Sequence, residues 1–135
     1  RRPLDVLAQY DSISTNGNAP LAAYVALHSI DMIEGDAERI AAAARATEAM
    51  AAAVAEEFPD RVTAVHGSGH LTGLKFHRVE DALRLHQRCV ERGVWVRAHA
   101  YHEGHSTVLC KFALTAGPRA IEFLGERYRD LLAQG

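Results

Sequence analysis

Eight histidines in 135 residues raise metal binding first. His99, His102 and His105 recur every third residue in "HAYHEGH", with Glu103 among them. Zinc needs three or four N, S or O donors converging at about 2.0–2.3 Å. A strand end followed by a glycine loop offers that reach, but the spacing matches no strong zinc signature. The same residues read equally as a solvated polar loop at the mouth of a site. His28 and His86 fall on apolar helix stripes and read as hydrogen-bonded core or interface residues. "HGSGH" has the glycines of a phosphate loop without the G-x-G-x-x-G spacing or a following helix, so it reads as a connection between strands. Lys75 and Lys111 are the chain's lysines. Lys75 reads as a solvated strand residue. Cys89 and Cys110 sit inside apolar runs, which suits reduced, buried thiols in a cytoplasmic setting and not a disulfide framework.

The elements that carry these residues follow from apolar spacing. From Pro20 to Gly35, Leu21, Tyr24, Val25, His28 and Met32 make one helical stripe. Ala23, Leu27, Ile30 and Ile33 fill the other sides, and a helix apolar nearly all round expects cover on more than one face. Asp36 is placed as the N-cap of a second helix reaching about Phe58. Its buried stripe is Ile40, Ala43, Ala44, Thr47, Met50, Ala51, Val54 and Phe58. "RVTAVHG" and "HLTGLKFH" read as a hairpin joined through Gly67, Ser68 and Gly69. A third helix presents Val79, Ala82, Leu83, His86, Cys89 and Val90 and stops at Gly93. "VWVRAHA" and "TVLCKFAL" are two more strands around the polar loop, with Trp95 and Arg97 on the face opposite Val94 and Val96. Pro118 at N1 opens a last helix with Ile121, Leu124, Tyr128, Leu131 and Leu132 inward. The order predicts an α+β fold: a small, mostly antiparallel sheet with helices on one face.

Composition bounds the partners. The length predicts one domain. A formal net charge of −2 and a pI near 6.5 give no reason to expect nucleic acid or an anionic membrane surface. No apolar run is long enough to span a bilayer, and no signal-peptide pattern opens the chain.

Four sequence words in this order resemble the C-terminal small domain of class III aminotransferases, the ornithine, acetylornithine and GABA type of fold-type I pyridoxal-phosphate enzymes. They are "STNGNAPLAA" leading into a long helix, "HGSGHLTGLKF", "ERGVWVRAH" and "CKFALTAGPRAIEFL", and together they cover almost the whole chain. The resemblance implies a division at residues 1–19, a connecting segment from a large domain, and 20–135, the small domain. It implies that Thr15, with Ser14, contacts the phosphate of pyridoxal 5'-phosphate across a homodimer interface. A short hydroxyl beside a backbone loosened by Gly17 suits a phosphate oxygen. Without the resemblance, Ser14, Thr15 and Asn16 read as turn residues leading a helix. The over-apolar helix would lie between the small domain, the large domain and the partner subunit.

The resemblance also implies what is elsewhere. The Schiff-base lysine and the aspartate that pairs with the cofactor's ring nitrogen belong to the large domain. No lysine precedes Thr15, so the chain alone is expected not to transaminate. Its abrupt start without Met is read as that of a fragment. Where many members carry a carboxylate-clamping arginine in the last strand, one alignment places Lys111, a weaker point charge, and another places Leu109. The Pro-Pro of that region is absent, and Ala19 stands where an asparagine is usual. These departures leave open a substrate without the usual α-carboxylate, as in the glutamate-semialdehyde aminomutase branch, or an amine or sugar donor. The expected activity is transfer of an amino group between an amine or amino acid and a keto acid or aldehyde. A different reading is a stand-alone α+β binding or regulatory module that dimerises through the Pro20–Gly35 helix without cofactor.

Overall fold

The computed structural model describes residues 19–102 and 104–134. They fall into two units that are treated separately, one ending at Ala37 and the other beginning at Glu38. The first contributes helix α1, Pro20–Gly35, with its proline in the first turn, where the missing N–H costs no hydrogen bond. The Ser29 hydroxyl donates to the Val25 carbonyl at 2.8 Å, a local bond that keeps a polar group within an apolar helix. None of the residues of α1 is buried. Asp36, placed from sequence as an N-cap, follows α1 directly and donates its backbone N–H to the Ile33 carbonyl.

The second unit packs helices α2 (Ala37–Glu57), α3 (Val79–Glu91) and α4 (Pro118–Ala133) with strands β1 (Val62–Ser68), β2 (Leu71–Phe76), β3 (Arg97–His99) and β4 (Thr107–Lys111). The sheet is antiparallel throughout, in the order β1-β2-β4-β3. The α+β class read from the sequence is the class observed. Ala43, Thr47, Met50, Ala51 and Val54 of α2 are buried, at the helical spacing expected. Ile121, Leu124, Tyr128, Leu131 and Leu132 of α4 are buried as well. Between these helices and the sheet lie Leu74, Phe76, Val108 and Cys110, each essentially inaccessible. Burying a side chain of Leu or Phe size is worth about 1.5–3 kcal/mol, so these four positions anchor the layer.

Three details differ from the pattern. On α3 the buried residues are Ala82, Leu85 and Cys89, while Leu83 and Val90 are exposed. Apolar residues lie on two neighbouring stripes of that helix, and spacing alone does not say which one packs. The turn between β1 and β2 sits at Gly69 and His70, later than expected. Ser68 pairs with Leu71, and Gly67, at φ 79°, remains inside the ladder opposite Thr72. Strand β3 begins only at Arg97. The Gly93 N–H donates to the Val90 carbonyl and the Val94 N–H to the Cys89 carbonyl, a Schellman ending made possible by φ 75° at Gly93. His86 Nδ1 then donates to the Val96 carbonyl at 2.9 Å. Residues 94–96 alternate like a strand, but their backbone is committed to the end of α3.

Candidate functional site

Register decides what the sheet carries on the face opposite Val108 and Cys110. Arg97 lies opposite Leu109, Gly73 opposite Leu109, and Leu71 opposite Lys111. Paired residues share a face, and so do residues two apart on one strand. Arg97, Leu109 and Lys111 therefore point the same way, away from the core that holds Val108 and Cys110. A cavity of about 420 Å³ opens there at the β3 edge. Its walls are Arg97, Lys111, Tyr101, Trp95, Leu109 and His86. Arg97 Nη2 donates to the Tyr101 hydroxyl at 3.4 Å. Trp95 is 80% exposed and meets the His86 ring edge-on at 5.8 Å between centroids. The His86 bond to a carbonyl fixes its proton on Nδ1, because a carbonyl only accepts. His86 is thus a half-buried, hydrogen-bonded side chain that steadies the strand leading to Arg97.

The other predicted residues are distributed as follows. Ser14 and Thr15 lie outside the described residues. Lys75 Nζ donates to the Gly104 carbonyl at 2.6 Å, bracing the β3–β4 loop. The rings of His102 and His105 stand 5.5 Å apart, but among the described residues no group of three metal-ligating side chains converges. Glu103 lies outside them. Of "HGSGH", only Gly69 and His70 connect strands, since His66, Gly67 and Ser68 still pair within β1. Its turn is tied to α2 by the Gly69 N–H donating to Glu48 Oε1 at 2.6 Å and by His70 Nε2 to the Ile40 carbonyl at 3.2 Å. Thr72 Oγ1 donates to the Gly69 carbonyl at 2.7 Å. His28 is not a core histidine of this chain. It is exposed on α1, edge-on to Tyr24 at 4.3 Å and 3.9 Å from Asp31.

The thiols are free and buried. Burial, and then the neighbouring Cys110, push the Cys89 thiol up to about 11. Burial does the same for Cys110, also to about 11, against the lowering effect of its contact with the Tyr128 hydroxyl at 3.4 Å. Burial holds the Tyr128 phenol well above its ordinary value too. Protonated thiols in an apolar layer are poor nucleophiles and poor metal ligands. The chemistry-bearing surface is therefore the cavity at β3.

Lys111 was legible in the sequence as a candidate; Arg97 and Tyr101 were not read as its neighbours. Arg97 and Lys111 are fourteen positions apart, and only the β3–β4 register joins them. The loop "YHEGH" drew attention to its histidines, while its tyrosine is the member that reaches the arginine.

No family profile and no curated protein matches the sequence. Solved structures do match its fold. An aminotransferase from Bacillus anthracis aligns over 98% of this chain and 33% of its own, with a TM-score of 0.73 and 19% identity. Lysine aminotransferase from M. tuberculosis, solved in its internal aldimine form, aligns over 76% of this chain and 23% of its own, with a TM-score of 0.67 and 23% identity. An adenosylmethionine-8-amino-7-oxononanoate aminotransferase from Methanocaldococcus jannaschii gives a TM-score of 0.67 at 14% identity, over 85% of this chain and 28% of its own. This chain thus spans between 23% and 33% of the length of these proteins, and its α+β architecture is one found as a part of solved aminotransferase chains.

Proposed function

We propose that this chain is the C-terminal small domain of a pyridoxal-phosphate-dependent class III aminotransferase, acting in a cytoplasmic homodimer whose active site lies at the subunit boundary. The observation that carries the reading is the match of 98% of this chain to a third of the Bacillus anthracis aminotransferase. The four sequence words in family order add to it independently of the coordinates.

The described residues do not fit as an anchor for the cofactor. Lys75 is engaged with the Gly104 carbonyl. Lys111 shares its cavity with Arg97, and no carboxylate lines that cavity to pair with a ring nitrogen. On this reading the reactive amine and its aspartate come from a large domain outside these 135 residues, and the chain alone does not transaminate. Bound pyridoxal phosphate supplies an aldehyde and an electron-withdrawing ring. The role left to this chain is to bind and orient: Thr15, with Ser14, toward the phosphate of the neighbouring subunit, and Lys111 toward an acidic group of the amino donor or acceptor. The α1 side chains, among them Leu21, Tyr24 and Met32, are exposed in this chain and would meet the large domain and the second subunit.

The test is absorbance spectroscopy of the protein that contains this domain together with its large domain. Loaded with pyridoxal phosphate, it should show a visible cofactor band that an amino donor bleaches and a keto acid or aldehyde restores. A protein that takes up no cofactor, or whose band responds to no amine, would refute the reading.

A further inference from the structure

We propose that the turn between β3 and β4 chelates a divalent transition-metal ion through the imidazoles of His102 and His105, with water in the remaining positions. The two rings stand 5.5 Å apart between centroids, with 75° between their planes. Two imidazoles that share one ion at about 2.0–2.1 Å, with a tetrahedral angle between them, have centroids about 5.3 Å apart. The observed spacing is already close to that of a two-histidine chelate. Both residues are exposed, and among the described residues no hydrogen bond or ion pair engages either ring. Glu103, between them in sequence, lies outside the described residues and takes no part in the assignment.

The backbone beneath the rings sets this pair apart from two histidines on a loose loop. The His105 N–H donates to the His102 carbonyl at 2.9 Å, closing the turn with the two side chains at its ends. Gly104 within it has φ 83°, a left-handed conformation open to glycine and strained for most other residues. Lys75 Nζ holds the Gly104 carbonyl at 2.6 Å. Ser106, the next residue after His105, is buried and exchanges two bonds with Phe76 of β2. Its hydroxyl donates to the Phe76 carbonyl at 2.6 Å, and its carbonyl accepts the Phe76 N–H at 2.7 Å. The turn is thus held before an ion arrives, and little freedom remains to be lost on binding. Imidazole nitrogen suits Cu²⁺, Ni²⁺ and Zn²⁺, whereas Mg²⁺ and Ca²⁺ prefer oxygen. Two protein donors are fewer than the four of a structural zinc site, so the ion exchanges freely. Once bound, it stiffens the loop that carries Tyr101, whose hydroxyl accepts from Arg97. None of this rests on the aminotransferase reading.

The test is a Zn²⁺ titration of the 15N-labelled 135-residue chain without cofactor, following the imidazole nitrogens of its eight histidines by NMR with calorimetry in parallel. The expected result is saturable one-to-one binding with Kd of order 0.1 mM, in which His102 and His105 shift together. Cu²⁺ should bind more tightly than Zn²⁺, and Mg²⁺ should give no saturable signal. His102→Gln and His105→Gln should each weaken Zn²⁺ at least tenfold with unchanged thermal unfolding, because both side chains are exposed. His66→Gln, at an exposed position of β1, should leave Zn²⁺ binding as it was. Gly104→Ala keeps both imidazoles and should weaken Zn²⁺ about fivefold by disturbing the turn. Absence of saturable Zn²⁺ binding, shifts confined to other histidines, or equal binding of Mg²⁺ would overturn the proposal. Parent-like affinity in His102→Gln or His105→Gln would overturn it too, and in Gly104→Ala would overturn the part given to the turn.

Discussion

Gly73 is where the floor of the cavity meets the stability of the sheet. It lies in β2, opposite Leu109 of β4, in the central pair of strands. A Cβ at this position would stand 2.8 Å from Leu109 Cδ2, 2.8 Å from Thr107 Cγ2 and 3.0 Å from the Val108 carbonyl oxygen. Leu109 can swing toward the cavity, but Thr107 is buried and the carbonyl belongs to the ladder, so two of the three contacts have little room to yield. Gly73→Ala gains about 0.5–1 kcal/mol from reduced chain entropy in a strand. Overpacking costs about 1–3 kcal/mol. With two contacts unable to yield, the upper part of that range, about 2–3 kcal/mol, applies, so the net expectation is a loss of about 1–2 kcal/mol, read as a lower urea midpoint with unchanged slope. Leu109→Ala in the same background removes one of the clashing groups, so the double variant should lose less than the sum of the single losses, by about 0.5 kcal/mol or more. A Gly73→Ala chain as stable as the parent, or strict additivity in the double variant, would refute the close packing of β2 on β4.

The buried thiols predict an alkaline limit to stability. Cys89 and Cys110 rise from 9.0 to about 11 on folding, so their contribution is whole below pH 9 and is lost as the pH climbs toward 11; urea midpoints across that window should fall by the equivalent of about 2–3 kcal/mol per thiol, and Cys110→Ala should flatten the fall. Thr72→Val removes the hydroxyl that donates to the Gly69 carbonyl while keeping the shape of a buried side chain; a loss of about 1–2 kcal/mol in urea unfolding is expected, and none would mean the hairpin turn does not depend on that bond. In the protein that carries the large domain, Thr15→Val should weaken pyridoxal phosphate binding about tenfold, measured by equilibrium dialysis, without altering the unfolding of this domain.

The elements most legible in the sequence were those whose apolar spacing had one solution. α4 is the clearest: Pro118 starts it, and the five residues placed inward are all buried. α2 was read nearly as well, because its alanines leave few large side chains to compete for the core. α3 was harder, since Leu83 and Val90 offered a rival stripe to Leu85, and only packing against β2, β3 and β4 chose between them. The strand around Trp95 was overread because alternation says where side chains point and nothing about where backbone hydrogen bonds go. The Schellman ending of α3 and the His86 bond claim that backbone first. Insertion of β4 between β2 and β3 is likewise a long-range pairing with no local signature. For the same reason the cavity was invisible in sequence. Its arginine and lysine sit on different strands, and its tyrosine hid in a loop that looked interesting for its histidines.

The central claim is that these residues are the smaller part of an enzyme whose reactive amine lies on another domain. The direct measurement is borohydride reduction of the cofactor-loaded protein, followed by peptide mass spectrometry to locate the pyridoxyl group. The account predicts a single modified lysine outside these 135 residues, with Lys75 and Lys111 unmodified. A pyridoxyl group on Lys75 or Lys111, or on no lysine at all, would contradict it.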